Sequence, residues 1–331
     1  MIKKLAIKNF KSLRDVKLNC ARINIFIGHP NAGKSNILEA IGVLSSCYYG
    51  YLWDFVRAGQ PFDLFFGRKL DHVCEVIVDK DKISIEPREN GIVGIYEHVR
   101  GGKSKANRET RDKVFDYGFS GHSYGGIEEF RKYKFYRFGA ESRNPNMKSL
   151  CPPGGGNLPI LVYTNESLRK LLQGIFSDFG LKLSVERRGP EGKHELKVLQ
   201  DSQDLPVMYP WDMVSDTLQR MVFLITAMVT NKDSVLAFEE PEAHAFPYYT
   251  KFLAERIAMD ESNQYFMTTH NPYFLMSILG KTPKKQLACF VVDMRNYETV
   301  VKKLTQRQIE EILDETEDAF FSVDKYFGDE E

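Results

Sequence analysis

The 331 residues carry 45 Lys plus Arg against 45 Asp plus Glu, so no global basic field draws nucleic acid. With 43% hydrophobic and 27% charged residues, the composition is that of a globular chain, long enough for one large or two modest domains. Cys20, Cys47, Cys74, Cys151 and Cys289 lie scattered without a C-x-x-C pair, which points to reduced thiols and a cytoplasmic location. The opening MIKKLAIKNF alternates like a strand and lacks the apolar core of a signal peptide. The longest apolar run, Met221 to Val229, is too short to cross a membrane, so no membrane partner is expected.

In chain order, residues 2–8 alternate, Val16-Lys17-Leu18 alternates briefly, and Ile23–Ile27 reads as a buried strand. That strand breaks at Gly28 and runs GHPNAGKS into a helix whose Ile37, Leu38, Ile41 and Leu44 share one face. An aromatic- and glycine-rich connection over 48–67 precedes three short strands, at 72–78, 82–87 and 92–99, turned by Asp79-Lys80-Asp81 and Glu89-Asn90-Gly91. An antiparallel meander is therefore expected behind the phosphate loop. Over 100–132 the basic residues Arg100, Lys103, Lys105, Arg108, Arg111 and Lys113 stand among glycines and serines, which reads as a solvated loop rather than a DNA-facing insertion. A strand is expected at 133–138, irregular chain over 139–159 including PPGGGN, a helix at 166–176 and a hairpin of 181–187 with 194–200.

From Ser215 on, helices alternate with strands, the mark of a largely parallel sheet. Leu218, Val222, Ile225 and Val229 recur at helical spacing. Val235–Phe238 is a buried strand ending in EEPEAH, and Pro247 opens a helix. The strand 264–269 ends in HNP, and two further strands follow at 286–293 and 299–304. An acidic tail from Glu310 to Glu331 reads as frayed helix.

G-x-x-x-x-G-K-[ST] between a strand and a helix is a phosphate loop. Its backbone amides, with those of Asn31, Ala32 and Asn36, and the helix N-terminus point at phosphate oxygens, because Gly28 and Gly33 let the chain fold closely. Lys34 would reach the terminal phosphates of ATP or GTP, and Ser35 would offer its hydroxyl to Mg²⁺. In an α/β sheet, groups at the carboxyl ends of strands meet in the ligand crevice. Glu239, Glu240 and His270 all follow strands in this way. Glu239 is assigned to the metal shell, Glu240 to polarising the attacking water and His270 to the terminal phosphate. A metal cluster of Glu240, Glu242 and His244 lacks a second histidine at ligand spacing.

Taken together, the phosphate loop, the Ser215-led helix, VLAFEEPEAH and TTHNP resemble ABC-type ATPase heads. The resemblance is to those of chromosome-maintenance and break-repair ATPases and of the OLD (overcoming lysogenization defect) group. IKNFKSL and NAGKSNILEAI look like that group's N-terminus, and PPGGGNL resembles a stretch of its prokaryotic defence-type, AAA-annotated members. The resemblance implies an α/β P-loop NTPase fold with a mixed central sheet, an N-terminal antiparallel meander and a helical lobe. It divides the chain into 1–99 (first part of the core with phosphate loop and meander), 100–180 (insertion and helical lobe) and 181–331 (second part of the core, with signature, Walker B strand and switch histidine).

The same resemblance implies a homodimer that sandwiches two ATP molecules, with Ser215 and Asp216 in the signature position meeting the nucleotide of the opposite subunit. Glu240 would then be the catalytic base. Three departures stand out: Asp216 and Thr217 where glycine is usual, Glu239 for the commoner aspartate, and no glutamine between Tyr133 and Leu172. Asn144, Asn146 and Asn157 are the candidate replacements for that glutamine. With no coiled coil and no nuclease domain after His270, the expectation is an ATPase head whose effector, such as a nuclease, is a separate chain. The alternatives are a non-hydrolysing scaffold and a DNA-binding clamp.

Overall fold

The chain begins as a hairpin, β1 (Lys4–Phe10) with β2 (Leu13–Asn19), in which Leu5, Ile7, Phe10, Val16 and Leu18 point into the core and the intervening residues face outward. The computed structural model describes residues 1–89, 91–98, 111–117, 122–123, 126–140, 148–189, 192–200, 206–314 and 326–327. Next come β3 (Ile23–Gly28), α1 (Lys34–Tyr49) and α2 (Leu52–Phe55), then the meander β4 (Cys74–Val78), β5 (Asp81–Arg88) and β6 (Gly91–His98). It continues through β7 (Arg111–Tyr117) and β8 (His122–Ser123), so the seven strands lie in the order β2-β1-β4-β5-β6-β7-β8, all antiparallel. Part of the stretch read as a solvated loop is thus strand, with Arg111 opposite Glu97 and Tyr117 opposite Ile92. Arg100, Lys103, Lys105 and Arg108 lie outside the described residues.

The remaining elements are β9 (Tyr133–Tyr136), α3 (Leu158–Thr164), α4 (Glu166–Ser177), β10 (Leu181–Arg188), β11 (Lys193–Gln200), β12 (Val207–Pro210) and α5 (Asp216–Thr230). After them follow β13 (Val235–Glu239), α6 (Pro247–Met259), β14 (Gln264–Thr268), α7 (Pro272–Lys281), β15 (Leu287–Arg295), β16 (Glu298–Lys303) and α8 (Gln306–Asp314). The core sheet runs β16-β15-β3-β14-β13-β9, parallel except for β16, which returns antiparallel on β15. The fold is therefore the α/β head architecture with a mixed central sheet and an antiparallel N-terminal sheet. The sheet boundaries cross the sequence-based division at 99/100 and 180/181. β7 and β8 extend the N-terminal sheet, β9 is an edge of the core sheet, and the lobe of α3, α4 and β10–β12 straddles residue 180. Four residues of β9 between polar segments signal a strand but not which sheet receives it.

A parallel sheet covered on both faces needs strands that are apolar on both sides. In β3 all six residues are buried, with Ile23, Ile25 and Ile27 in one apolar cluster and Phe26 in the other. β14 repeats this with Tyr265 and Met267 against Phe266. Helix α1 fills the space between the core sheet and the N-terminal sheet, so Ile37, Leu38, Ile41 and Leu44 are fully buried. Each such side chain contributes roughly 1.5–3 kcal/mol, and Ile41→Ala would cost about 2–5 kcal/mol through the cavity it leaves. That burial fixes the phosphate loop, because α1 begins at Lys34. On the other face, α5 is capped by Ser215, whose Oγ accepts from Leu218 N at 3.4 Å.

Candidate active site

The loop between β3 and α1 is built so that only glycine fits at two positions. Gly28 has φ 146°, and a Cβ there would lie 1.9 Å from the carbonyl oxygen of Val292 on β15. Gly33 has φ 95°, and its Cβ would meet Thr299 Oγ1 at 2.0 Å. Gly33 caps α1 with no side-chain hydrogen bond, which leaves the helix N-terminus open to a ligand. Asn31 (φ 61°) and Ala32 complete the curve, and Thr299 Oγ1 donates to Ala32 O at 2.9 Å. The Asn36 amide is taken: its Nδ2 donates to Ser12 Oγ at 2.7 Å, which ties α1 to the β1–β2 turn.

Lys34 folds back over the loop, donating to Gly28 O at 2.8 Å and His29 O at 2.6 Å. Burial pushes its ammonium down to about 8, against the opposing pull of the Glu240 carboxylate. A buried cation resting on two carbonyls beside an uncapped helix start fits a phosphate group, so the residues suit a nucleotide. The cleft around them, of about 450 Å³, is lined by residues 30–36 together with Arg57, Glu240, Thr268 and His270.

Parallel register brings these groups together, since Glu239 pairs with Thr268 and Thr268 with Phe26. Glu240, just past the end of β13, adopts φ 45°, and its amide donates to Thr268 Oγ1 at 3.1 Å. His270 Nε2 then lies 3.3 Å from Glu240 Oε1. Burial and the nearby Lys34 charge hold the His270 imidazolium below its ordinary value, opposed by Glu240. Thr269 fixes the two loops. Its hydroxyl donates to the buried Glu242 Oε1, and its oxygen accepts from Asn271 N at 3.0 Å. Asn271 in turn caps α7.

Glu239 does not line the phosphate-loop cleft. It faces a neighbouring cavity of about 490 Å³ and accepts from Arg57 Nη2 at 2.9 Å. Arg57 also donates through Nε to Glu39 Oε1 at 2.6 Å. Glu39, on α1, has a side chain only 1% exposed and is further paired with Lys11 and, at 3.3 Å, with Arg137 Nη2. Sequence reasoning missed this cluster, although one carboxylate inside Ile37-Leu38-Glu39-Ala40-Ile41 on a buried helix was a signal for a paired charge. Ser215 and Asp216 line neither hollow, and Asp216 Oδ2 pairs with Arg220 Nε at 2.7 Å. Thr217 Oγ1 donates to His244 O at 2.6 Å, tying α5 to the loop after Glu240. Of the candidate replacements for the glutamine, Asn144 and Asn146 lie outside the described residues. Asn157 is buried and structural, accepting from Cys151 N at 2.7 Å and donating to Ser149 O at 2.9 Å.

A phosphate loop after β3, glutamates at and just past the end of β13 and a histidine after β14, in this strand order, define a P-loop ATPase head fold. Residues 1–92 match the family model described as an AAA ATPase domain. Residues 162–277 match one described as an AAA domain, putative AbiEii toxin, Type IV TA system. The chain is 46% identical over 52 residues to the uncharacterized protein MJECL10 of Methanocaldococcus jannaschii, which is 15% of this chain and 24% of that protein. It is 29% identical over 133 residues to the DNA replication and repair protein RecF of Thermoanaerobacter sp. (strain X514), covering 39% of this chain and 34% of RecF. The chain thus spans about a third or less of these relatives' length. Among solved structures, it resembles the Smc head domain with an extended coiled coil bound to the C-terminal domain of ScpA from Pyrococcus furiosus. That likeness has a TM-score of 0.55 at 13% identity over 95% of this chain and 98% of the other, and it shows a shared Smc head-like fold.

Proposed function

We propose that this chain is an ATP-binding and ATP-hydrolysing switch that works as a homodimer and controls a separate effector in DNA transactions or phage defence. The observation that carries the reading is the convergence of Lys34, Glu240 and His270 on one cleft. Phosphoryl transfer to water needs positioning and charge placement more than covalent chemistry. Lys34 holds the terminal phosphates, Glu240 polarises the attacking water, and His270, 3.3 Å from Glu240, contacts the terminal phosphate. Bound Mg²⁺ would supply charge compensation to the phosphates; Ser35, in the cleft, would hold it, and Glu239, facing the neighbouring cavity, would reach it through water.

Ser215 stands at the start of a fifteen-residue helix yet outside the cleft. In this reading it serves the nucleotide of a second copy, as the resemblance to ABC-type heads implies, and ATP favours the closed dimer by binding across it. RecF's description as a replication and repair protein and the ScpA-bound Smc head support a role on DNA with a protein partner. The likeness of residues 162–277 to a putative toxin of a Type IV toxin–antitoxin system supports a defence setting. The five cysteines are free thiols, and among the described residues no helix is long and apolar enough to cross a membrane, which together support a cytoplasmic site of action.

One observation favours a second reading, a non-hydrolysing ATP-bound scaffold. The signature position carries the Asp216 carboxylate in place of glycine, where a helix N-terminus would approach phosphate. Subunit mixing separates the two readings. Lys34→Ala and Ser215→Arg subunits, each inactive alone, form mixed dimers with one intact composite site, so the mixture should regain about a quarter of wild-type ATP turnover. A mixture as inactive as its components, with native folds and mixed dimers verified, contradicts the composite site.

A further inference from the structure

Tyr136 is the register partner of Phe238, so the next residues along the two parallel strands, Arg137 and Glu239, emerge side by side at the end of the core sheet. Arg137 lines the cavity that also holds Arg57, Arg220, Glu239 and Glu240. Its guanidinium reaches Glu39 Oε1 through Nη2 at 3.3 Å, while its buried Nε finds no hydrogen-bond partner among the described residues. The same residue starts the connection to the lobe. Arg137 N donates to Pro153 O at 3.0 Å, and the Phe138 ring packs edge-on against Phe223 of α5 at 5.6 Å. Arg220, also on α5, stacks over Phe138 at 4.7 Å and pairs with Asp216, the first residue of that helix.

A guanidinium carries donors only, so Arg137 cannot ligate a cation, and the charged acceptors it faces are carboxylates. Two carboxylates stand within its reach: Glu39, whose buried charge needs compensation, and Glu239 beside it. Lys11, Arg57 and Arg137 together balance Glu39 and Glu239 with one positive charge in excess. Without Arg137, more of the Glu39 charge would fall to Arg57, which Glu39 shares with Glu239.

We propose that Arg137 is a positioning residue between the core-sheet end and α5, and that it works by charge rather than as a metal ligand. Through Glu39 and Arg57 it sets Glu239, and through Phe138 it passes that setting to the first turn of α5. The inference rests on the ATP-hydrolysing reading for its kinetic consequence, but not for the coupling to α5.

The test uses the full chain with Arg137→Gln, Arg137→Ala and Arg137→Lys. Arg137→Gln should lower kcat at least about tenfold with KM for ATP within about threefold, because the phosphate loop is untouched. Arg137→Ala should match it, and Arg137→Lys should recover part of the rate. Hydrogen exchange gives the independent readout: ATP should protect the amides of residues 216–219 in the wild type and in Arg137→Lys, but not in Arg137→Gln. ATP binding by each variant confirms that it is folded. Wild-type kcat in Arg137→Gln, or unchanged ATP-induced protection of α5 in that variant, overturns the proposal. A wild type that binds ATP without turnover, while Arg137 still governs protection of α5, sinks the hydrolysis reading and leaves the coupling standing.

Discussion

Arg57 donates to Glu239 Oε1 at 2.9 Å while its Nε holds Glu39 Oε1 at 2.6 Å, so one guanidinium joins the end of β13 to α1. It also lines both the phosphate-loop cleft and the neighbouring cavity. The carboxylate assigned to the metal shell is thus neutralised by an arginine.

Arg57→Ala should therefore reduce ATP turnover at least about tenfold, by removing a cation from the cleft. It should also destabilise the fold by about 1–3 kcal/mol, because buried Glu39 loses one of three cationic partners. Steady-state kinetics and urea denaturation of the same variant check both parts. Unchanged kinetics with lowered stability would reduce Arg57 to a structural role.

The Lys34 ammonium, held down to about 8, gives nucleotide binding a pH dependence of known sign. Phosphate binds the protonated amine, so binding raises its pKa and takes up a proton wherever the free site is neutral. Affinity for ATP should be flat below about pH 8 and weaken above it by up to about tenfold per unit. Titrations from pH 6.5 to 9.5 test this, and Lys34→Arg should abolish the dependence.

Glu242 is a second titrating group. Burial raises its carboxyl to about 7, opposed by the hydrogen bond from Thr269, and its Oε2 has no partner among the described residues. A carboxyl with a raised folded pKa stabilises most fully below its unfolded value, and that contribution is lost as pH rises toward the folded value. Relative to Glu242→Gln, the wild type should lose on the order of 3 kcal/mol between about pH 4.5 and 7 and change little above. Paired denaturation curves at several pH values read this directly. A wild type and variant that track one another across the range would show the carboxyl ionised and solvated.

Much of the head was legible because its signals are local. Gly28, Gly33 and Lys34 sit at fixed spacing between an apolar run and a helix, and the strands before Glu239 and His270 are short, apolar and sharply ended. What stayed hidden depends on pairing between distant segments. Whether β9 joins the core sheet is decided by Val235 meeting Tyr133, a contact that no local period encodes. The charge cluster joins Lys11, Glu39, Arg57, Arg137 and Glu239, residues spread over 228 positions of the chain, so only the fold assembles it. β7 was masked by its glycine-rich and basic surroundings, and β12 by its shortness.

The most direct measurement is ATP turnover as a function of protein concentration, with Glu240→Gln as the partner variant. A composite dimer site with Glu240 as base predicts a specific rate that climbs with concentration and falls at least about a hundredfold in Glu240→Gln, while ATP binding and dimerisation persist. Turnover in Glu240→Gln at the wild-type rate would contradict the account at its centre.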